Sequence, residues 1–85
     1  MEKKLILNDG TEFAHSEALL SDGKLFVYIQ NGYGLREVFG LLIEPEKTGR
    51  ITMKRCGKTE VFEGYVKLVA VRDEGNGLIT AVIGK

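Results

Sequence analysis

The sequence predicts an α+β fold, mostly antiparallel β: six or seven short strands in a curved sheet or partial barrel, with one amphipathic helix. Three observations predict it. Eleven glycines and one proline punctuate the chain between short apolar runs, as in a turn-rich β protein. Hydrophobic spacing changes once to the helical period, over residues 35–43. Two strand regions are apolar on both sides, which demands a covering layer on each. At 85 residues the chain is read as a single domain, residues 1–85.

Taken in order, Leu5-Ile6-Leu7 reads as a first strand. Asn8-Asp9-Gly10 is a turn, because Asn and Asp tolerate positive φ and Gly prefers it. Thr11-Glu12-Phe13 returns as a short strand, and His15 to Leu20 reads as an irregular or edge-strand segment. Ser21-Asp22-Gly23 turns into Leu25–Ile29, a run of high β propensity. Leu35, Val38, Phe39, Leu42 and Ile43 then make a helical stripe, expected to dock on the sheet as core. On that reading Phe39→Ala costs roughly 3–5 kcal/mol. Gly34 serves as N-cap and Glu37 suits the positive end. Glu44 precedes Pro45 and ends the helix. Gly40 within it points to close approach of a neighbouring sheet.

After a turn at Glu46-Lys47-Thr48-Gly49, two hairpins follow. In the first, Ile51–Arg55 and Thr59–Phe62 flank Cys56-Gly57-Lys58. A Gly57-Lys58 loop opposes Arg55 to Glu60 and Met53 to Phe62; a Cys56-Gly57 loop opposes Arg55 to Lys58, and the first register is preferred. In the second, Tyr65–Asp73 meets Leu78–Ile83 around Gly75-Asn76. Leu68 then faces Ile83, Val69 faces Val82, Ala70 faces Ala81 and Val71 faces Thr80. Alternation puts Leu25, Val27, Ile29, Leu68, Ala70 and Ile79 on a helix-covered face. Phe26, Tyr28, Tyr65, Val69, Val71, Leu78 and Val82 fall on the other, the candidate interface. That face is covered by the chain curling round, by a second subunit or by a partner. So small a core makes oligomerisation an expected supplement.

Composition narrows the chemistry. Twelve basic and twelve acidic residues cancel, which argues against a protein built mainly to bind nucleic acid or anionic membrane. One cysteine, Cys56, cannot form an internal disulfide. The apolar runs are too short for a signal-peptide core or a membrane span. His15 is the single histidine, so His-Cys and Ser-His-Asp constellations lack local support, and Cys56 reads as a turn residue beside Arg55 and Lys58. The carboxylates are scattered without metal-ligand spacing. Gly32-Tyr33-Gly34 lacks the remainder of a dinucleotide or P-loop pattern and reads as a helix-starting turn. Arg50, Lys54, Arg55 and Lys58 form a basic stretch followed closely by Glu60 and Glu63, with Lys54 and Arg55 on opposite faces. No catalytic, metal or cofactor residues are assigned, and the expectation is a protein that is not an enzyme and uses no cofactor.

Four stretches carry a resemblance: ILNDGTEF (6–13), SDGKLFVYI (21–29), GLREVFGLLIEPEKTGRITM (34–53) and GKTEVFEGYVKLVAV (57–71). In this order they resemble a family of small proteins encoded among tail and structural genes of phages and prophages of Gram-positive gut bacteria. The resemblance implies no enzyme activity and no catalytic residues. It implies a non-enzymatic, tail-associated structural protein that works through protein–protein contacts. Its partners would be further copies of itself or phage structural proteins, with no membrane, in the host cytoplasm or in the virion. The alternative is a cytoplasmic nucleic-acid-binding or regulatory module using the basic hairpin at 50–58. A third reading is a small-ligand pocket between helix and sheet.

Overall fold

A computed structural model describes residues 3–30 and 33–85. In chain order the elements are β1 (Lys3–Ile6), β2 (Glu12–Ala14), β3 (Glu17–Ser21), β4 (Lys24–Ile29), α1 (Leu35–Leu42), α2 (Pro45–Thr48), β5 (Arg50–Arg55), β6 (Lys58–Glu63), β7 (Lys67–Gly75) and β8 (Leu78–Gly84). The strands form two four-stranded antiparallel sheets, ordered β2-β1-β5-β6 and β3-β4-β8-β7. The mostly antiparallel β character and the short amphipathic helix are as the sequence predicts. The differences are eight strands among the described residues, two sheets rather than one curved sheet, and a single helical turn, α2, where a simple turn was expected.

The two sheets answer the question raised by strands apolar on both sides. Leu5, Phe13, Ile51, Met53 and Phe62 from the first sheet are buried together with Ala18, Leu25, Val27, Ile29, Ile79, Ala81 and Ile83 from the second. Each sheet covers the inner face of the other, as in a sandwich. The chain crosses between them at His15, which takes φ 56° and donates its N–H to the Lys3 carbonyl at 2.8 Å. Buried Ser16 follows; its Oγ donates to the Ala14 carbonyl and accepts from the Gln30 N–H. The Ala18 N–H of β3 donates to Met53 Sδ at 3.2 Å, tying the edge of the second sheet to the first.

The helix lies along the rim. It packs beside β7 and α2 and buries only Val38 and Leu42 completely. Leu35, Phe39 and Ile43 are 40%, 44% and 48% exposed, which corrects the expected five-residue core stripe. The sheets already cover each other, so the helix meets the core along one narrow ridge. Residues 35, 39 and 43 lie about a quarter turn from that ridge. Gly40 is exposed with open space where a Cβ would sit, so close approach of a sheet does not explain it. Val38 and Leu42, both fully buried, are the residues through which the helix joins the core. Glu44 is extended, as a residue before proline should be, and Pro45 opens α2 at its first position.

Two registers differ from expectation. The β5–β6 hairpin pairs Arg55 with Lys58, Met53 with Glu60 and Ile51 with Phe62. Its loop is therefore Cys56-Gly57, with φ 52° and 79°, and positive φ at both central residues matches a type I′ turn. The preferred and observed registers differ by two residues, so each side chain keeps its face and the hydrophobic pattern could not choose between them. The β7–β8 hairpin turns at Asn76-Gly77 instead of Gly75-Asn76 and carries register shifts at Val69 and Glu74. Leu68 faces Ile83 as expected. Beyond Val69, Ala70 faces Val82, Val71 faces Ala81 and Arg72 faces Thr80. This bulge moves Ala70 to the outer face and Val71 to the inner one.

Candidate docking surface

The outer face of the second sheet gathers most of the exposed apolar chemistry that the sequence placed there. On β4, buried Leu25, Val27 and Ile29 alternate with half-buried Phe26 and Tyr28, and β8 repeats this with Thr80 and Val82 between Ile79, Ala81 and Ile83. Cross-strand pairing orders the outward side chains into rungs. Leu19, Phe26, Val82 and Ala70 make one rung across all four strands. Tyr28, Thr80 and Arg72 make the next, while Glu17, opposite Tyr28 on β3, turns its carboxylate to Lys3 and Arg55 of the first sheet. Between them lies a shallow groove of about 350 Å³ with Phe26, Tyr28 and Val82 in its lining.

The polar end of the groove is organised around Glu74. Thr80 Oγ1 donates to Glu74 Oε2 at 2.7 Å, and Arg72 Nε donates to the same oxygen at 3.0 Å. The hydroxyl bond and then the guanidinium hold the Glu74 carboxyl below its ordinary pKa, because both favour the ionised form. A fixed carboxylate thus sits beside an apolar floor.

The seven predicted interface residues do not all share this face. Phe26, Tyr28, Val71 and Val82 line the groove, and Leu78 lies beyond it on the same side of β8. Val69, 57% exposed in the bulge, lies on the outer side, with its Cγ2 against Gly84. Val71 pairs with Ala81 beyond the bulge and packs against the core, and it lines the groove as well. Tyr65 is buried instead, edge-to-face with Phe62 at 6.5 Å and under the Lys85 ammonium at 5.2 Å. It follows Gly64, at φ 86°, whose N–H donates to the Gly49 carbonyl, so the strand that would have carried it outward has not yet begun. Leu19, Ala70, Arg72 and Glu74 belong to the face and were missed. The pairing of β3 alone would have supplied Leu19, whereas the others depend on the bulges.

The basic hairpin is divided by its own geometry. Arg50 pairs with Glu63 at 3.7 Å, and Arg55 reaches Glu17 at 3.7 Å and Met53 Sδ at 3.6 Å on the inner side. Lys54 lies outward beside Lys4, which pairs with Glu12 at 3.1 Å. Lys4, Lys54 and Lys58 share a shallow depression at the hairpin tip. Cys56 is exposed in the turn, and His15 sits beside Lys3 at the opposite side of the same sheet end, two strand spacings or about 10 Å away. Tyr33 stacks edge-to-face on Phe13 at 5.0 Å and leads into the Gly34 cap of α1; Gly32 lies outside the described residues. Among the described residues, no group of three or more His, Cys, Asp or Glu is placed to hold a metal ion. None of the helices among them is long and apolar enough to cross a membrane.

Neither a family model, nor a curated protein, nor a solved structure matches this chain.

Proposed function

We propose that this chain is a non-enzymatic structural protein that acts through protein–protein contacts, with the outer face of the second sheet as its docking surface. The carrying observation is the apolar rung of Leu19, Phe26, Val82 and Ala70, which points outward although the sheet's inner face is already covered by the first sheet. A rung of this kind beside a fixed Arg72–Glu74 pair has the composition of a contact surface, with an apolar centre and a polar margin. The resemblance of four sequence stretches to phage and prophage tail-associated proteins supplies the setting, a phage-derived assembly in the host cell or virion.

Particles released from an induced lysogen encoding the chain test this reading by quantitative mass spectrometry. The chain is expected at fixed stoichiometry in purified particles, and Val82→Glu, folded by circular dichroism, is expected to be lost from them. Absence of the parent chain from particles would overturn the reading. The second reading, a nucleic-acid-binding or regulatory module, draws on Lys4, Lys54 and Lys58 at the hairpin tip. It requires duplex binding whose log–log salt slope is about −0.9 per phosphate contacted and which is lost in Lys54→Ala.

A further inference from the structure

We propose that a second copy of this chain occupies the outer face of the second sheet, and that the part which enters the groove is the exposed stripe of α1, so that copies join head to tail. This rests on the docking reading and names its partner. Leu35, Phe39 and Ile43 are spaced at i, i+4 and i+8 and expose 40%, 44% and 48% of their surface, an unpartnered apolar stripe on a folded helix. The stripe runs about 12 Å at 1.5 Å per residue. The receiving rung crosses four strands, three spacings of about 4.8 Å, or about 14 Å. The groove itself spans β4, β8 and β7, two spacings or about 10 Å, and Leu19 on β3, in an adjoining depression with Phe26 and Tyr28, extends the seat to the length of the stripe, as in the laying of an amphipathic helix into an apolar groove.

The charges fit as well. Arg36 follows the stripe round the helix, exposed, and the groove ends at Glu74, where the Thr80 and Arg72 bonds all converge on Oε2 and leave Oε1 to accept another donor. Gly40 lies beyond Arg36 on the same side, with open space where a Cβ would be, so a neighbouring backbone can come close. No α1 residue lines the chain's own groove, and the stripe remains exposed, so the two surfaces do not satisfy each other within one copy. Between copies, a helix on one and a groove on the next is a heterologous contact, which generates rings or filaments. An eight-residue helix buries less than the about 800 Å² per partner of a standard interface. Each contact is therefore weak, and assembly depends on concentration.

Sedimentation velocity across the micromolar to millimolar range tests this. The parent chain is expected to form larger species with rising concentration. Phe39→Glu and Val82→Glu should each weaken assembly roughly tenfold or more. Ala70→Glu, at an exposed position, takes the place of Val82→Glu if that variant does not fold. An equimolar mixture of Phe39→Glu and a groove variant retains one intact helix and one intact groove, and is expected to restore a one-to-one complex. The double variant Phe39→Glu/Val82→Glu should give no complex with itself. Assembly that survives Phe39→Glu, or a mixture that restores nothing, would overturn the helix-in-groove contact. A parent chain that stays monomeric throughout would overturn self-association, while loss of Val82→Glu from particles would still uphold docking of another protein on the same face.

Discussion

The rim position of α1 predicts unequal costs for two large apolar residues one turn apart. Leu42 is fully buried, and Leu42→Ala removes three carbons at about 0.8 kcal/mol each plus a cavity term, about 3 kcal/mol in all. Phe39 is 44% exposed, so little more than half of the roughly 2–3 kcal/mol for burying a Phe side chain is at stake. Alanine returns up to about 0.5 kcal/mol in helix propensity, which leaves about 1 kcal/mol. At about 4–8 °C per kcal/mol for a domain of this size, the melting temperatures should fall by about 12–24 °C and about 4–8 °C respectively. Urea titrations at low micromolar concentration, where intermolecular contacts are weakest, provide the free energies, and unchanged m values confirm that the same surface unfolds. If Phe39→Ala proved as damaging as Leu42→Ala, the helix would be seated on the sheet face through all five apolar positions, and the exposed stripe would not exist.

Two further substitutions probe local structure. Cys56→Asn places the preferred residue at the first central position of a type I′ turn now held by cysteine at φ 52°, and should raise stability by about 1 kcal/mol in thermal melts; an unchanged or lower midpoint would count against the Cys56-Gly57 loop. Glu74 has its pKa lowered by Thr80 and Arg72, so its stabilising contribution is present above the ordinary carboxylate range and is lost as pH falls through the lowered value. The difference in melting temperature between the parent and Glu74→Gln should therefore be largest near neutrality and close in acid, and a gap independent of pH would remove the proposed bonds.

The elements were legible in the residues because they rest on local chemistry. Asp22-Gly23 adopts positive φ at both turn positions, and the run Leu25–Ile29 forms a strand with three buried side chains. The helix was legible from its spacing, since Leu35 to Ile43 recurs at the 3.6-residue period whichever side it buries. Which side it buries was not legible. That depends on the first sheet covering the second, a pairing between residues as distant as Ala18 and Met53 that no local period records. The Cys56-Gly57 loop was hidden for a related reason: a two-residue shift leaves Ile51, Met53 and Phe62 on the same face, so burial is silent and only backbone preference decides.

The proposed docking face was half legible, and the division falls at Val69. Before the bulge, strict alternation assigns Leu68 correctly to the inside opposite Ile83. At the bulge two residues of β7 oppose one of β8, so every later prediction on that strand changes side. Ala70, placed in the core by alternation, joins Val82 outside, and Val71 joins Ala81 inside. The exchange has a consequence for the face itself. The smaller Ala70 now stands beside Phe26, Val71 and Val82 in the groove lining. The second register shift, at Glu74, then leaves that carboxylate over the pair of Arg72 and Thr80. The two irregularities of β7 thus set a small side chain in the apolar lining and bring a carboxylate to its end, the two features on which the proposed helix-in-groove contact draws.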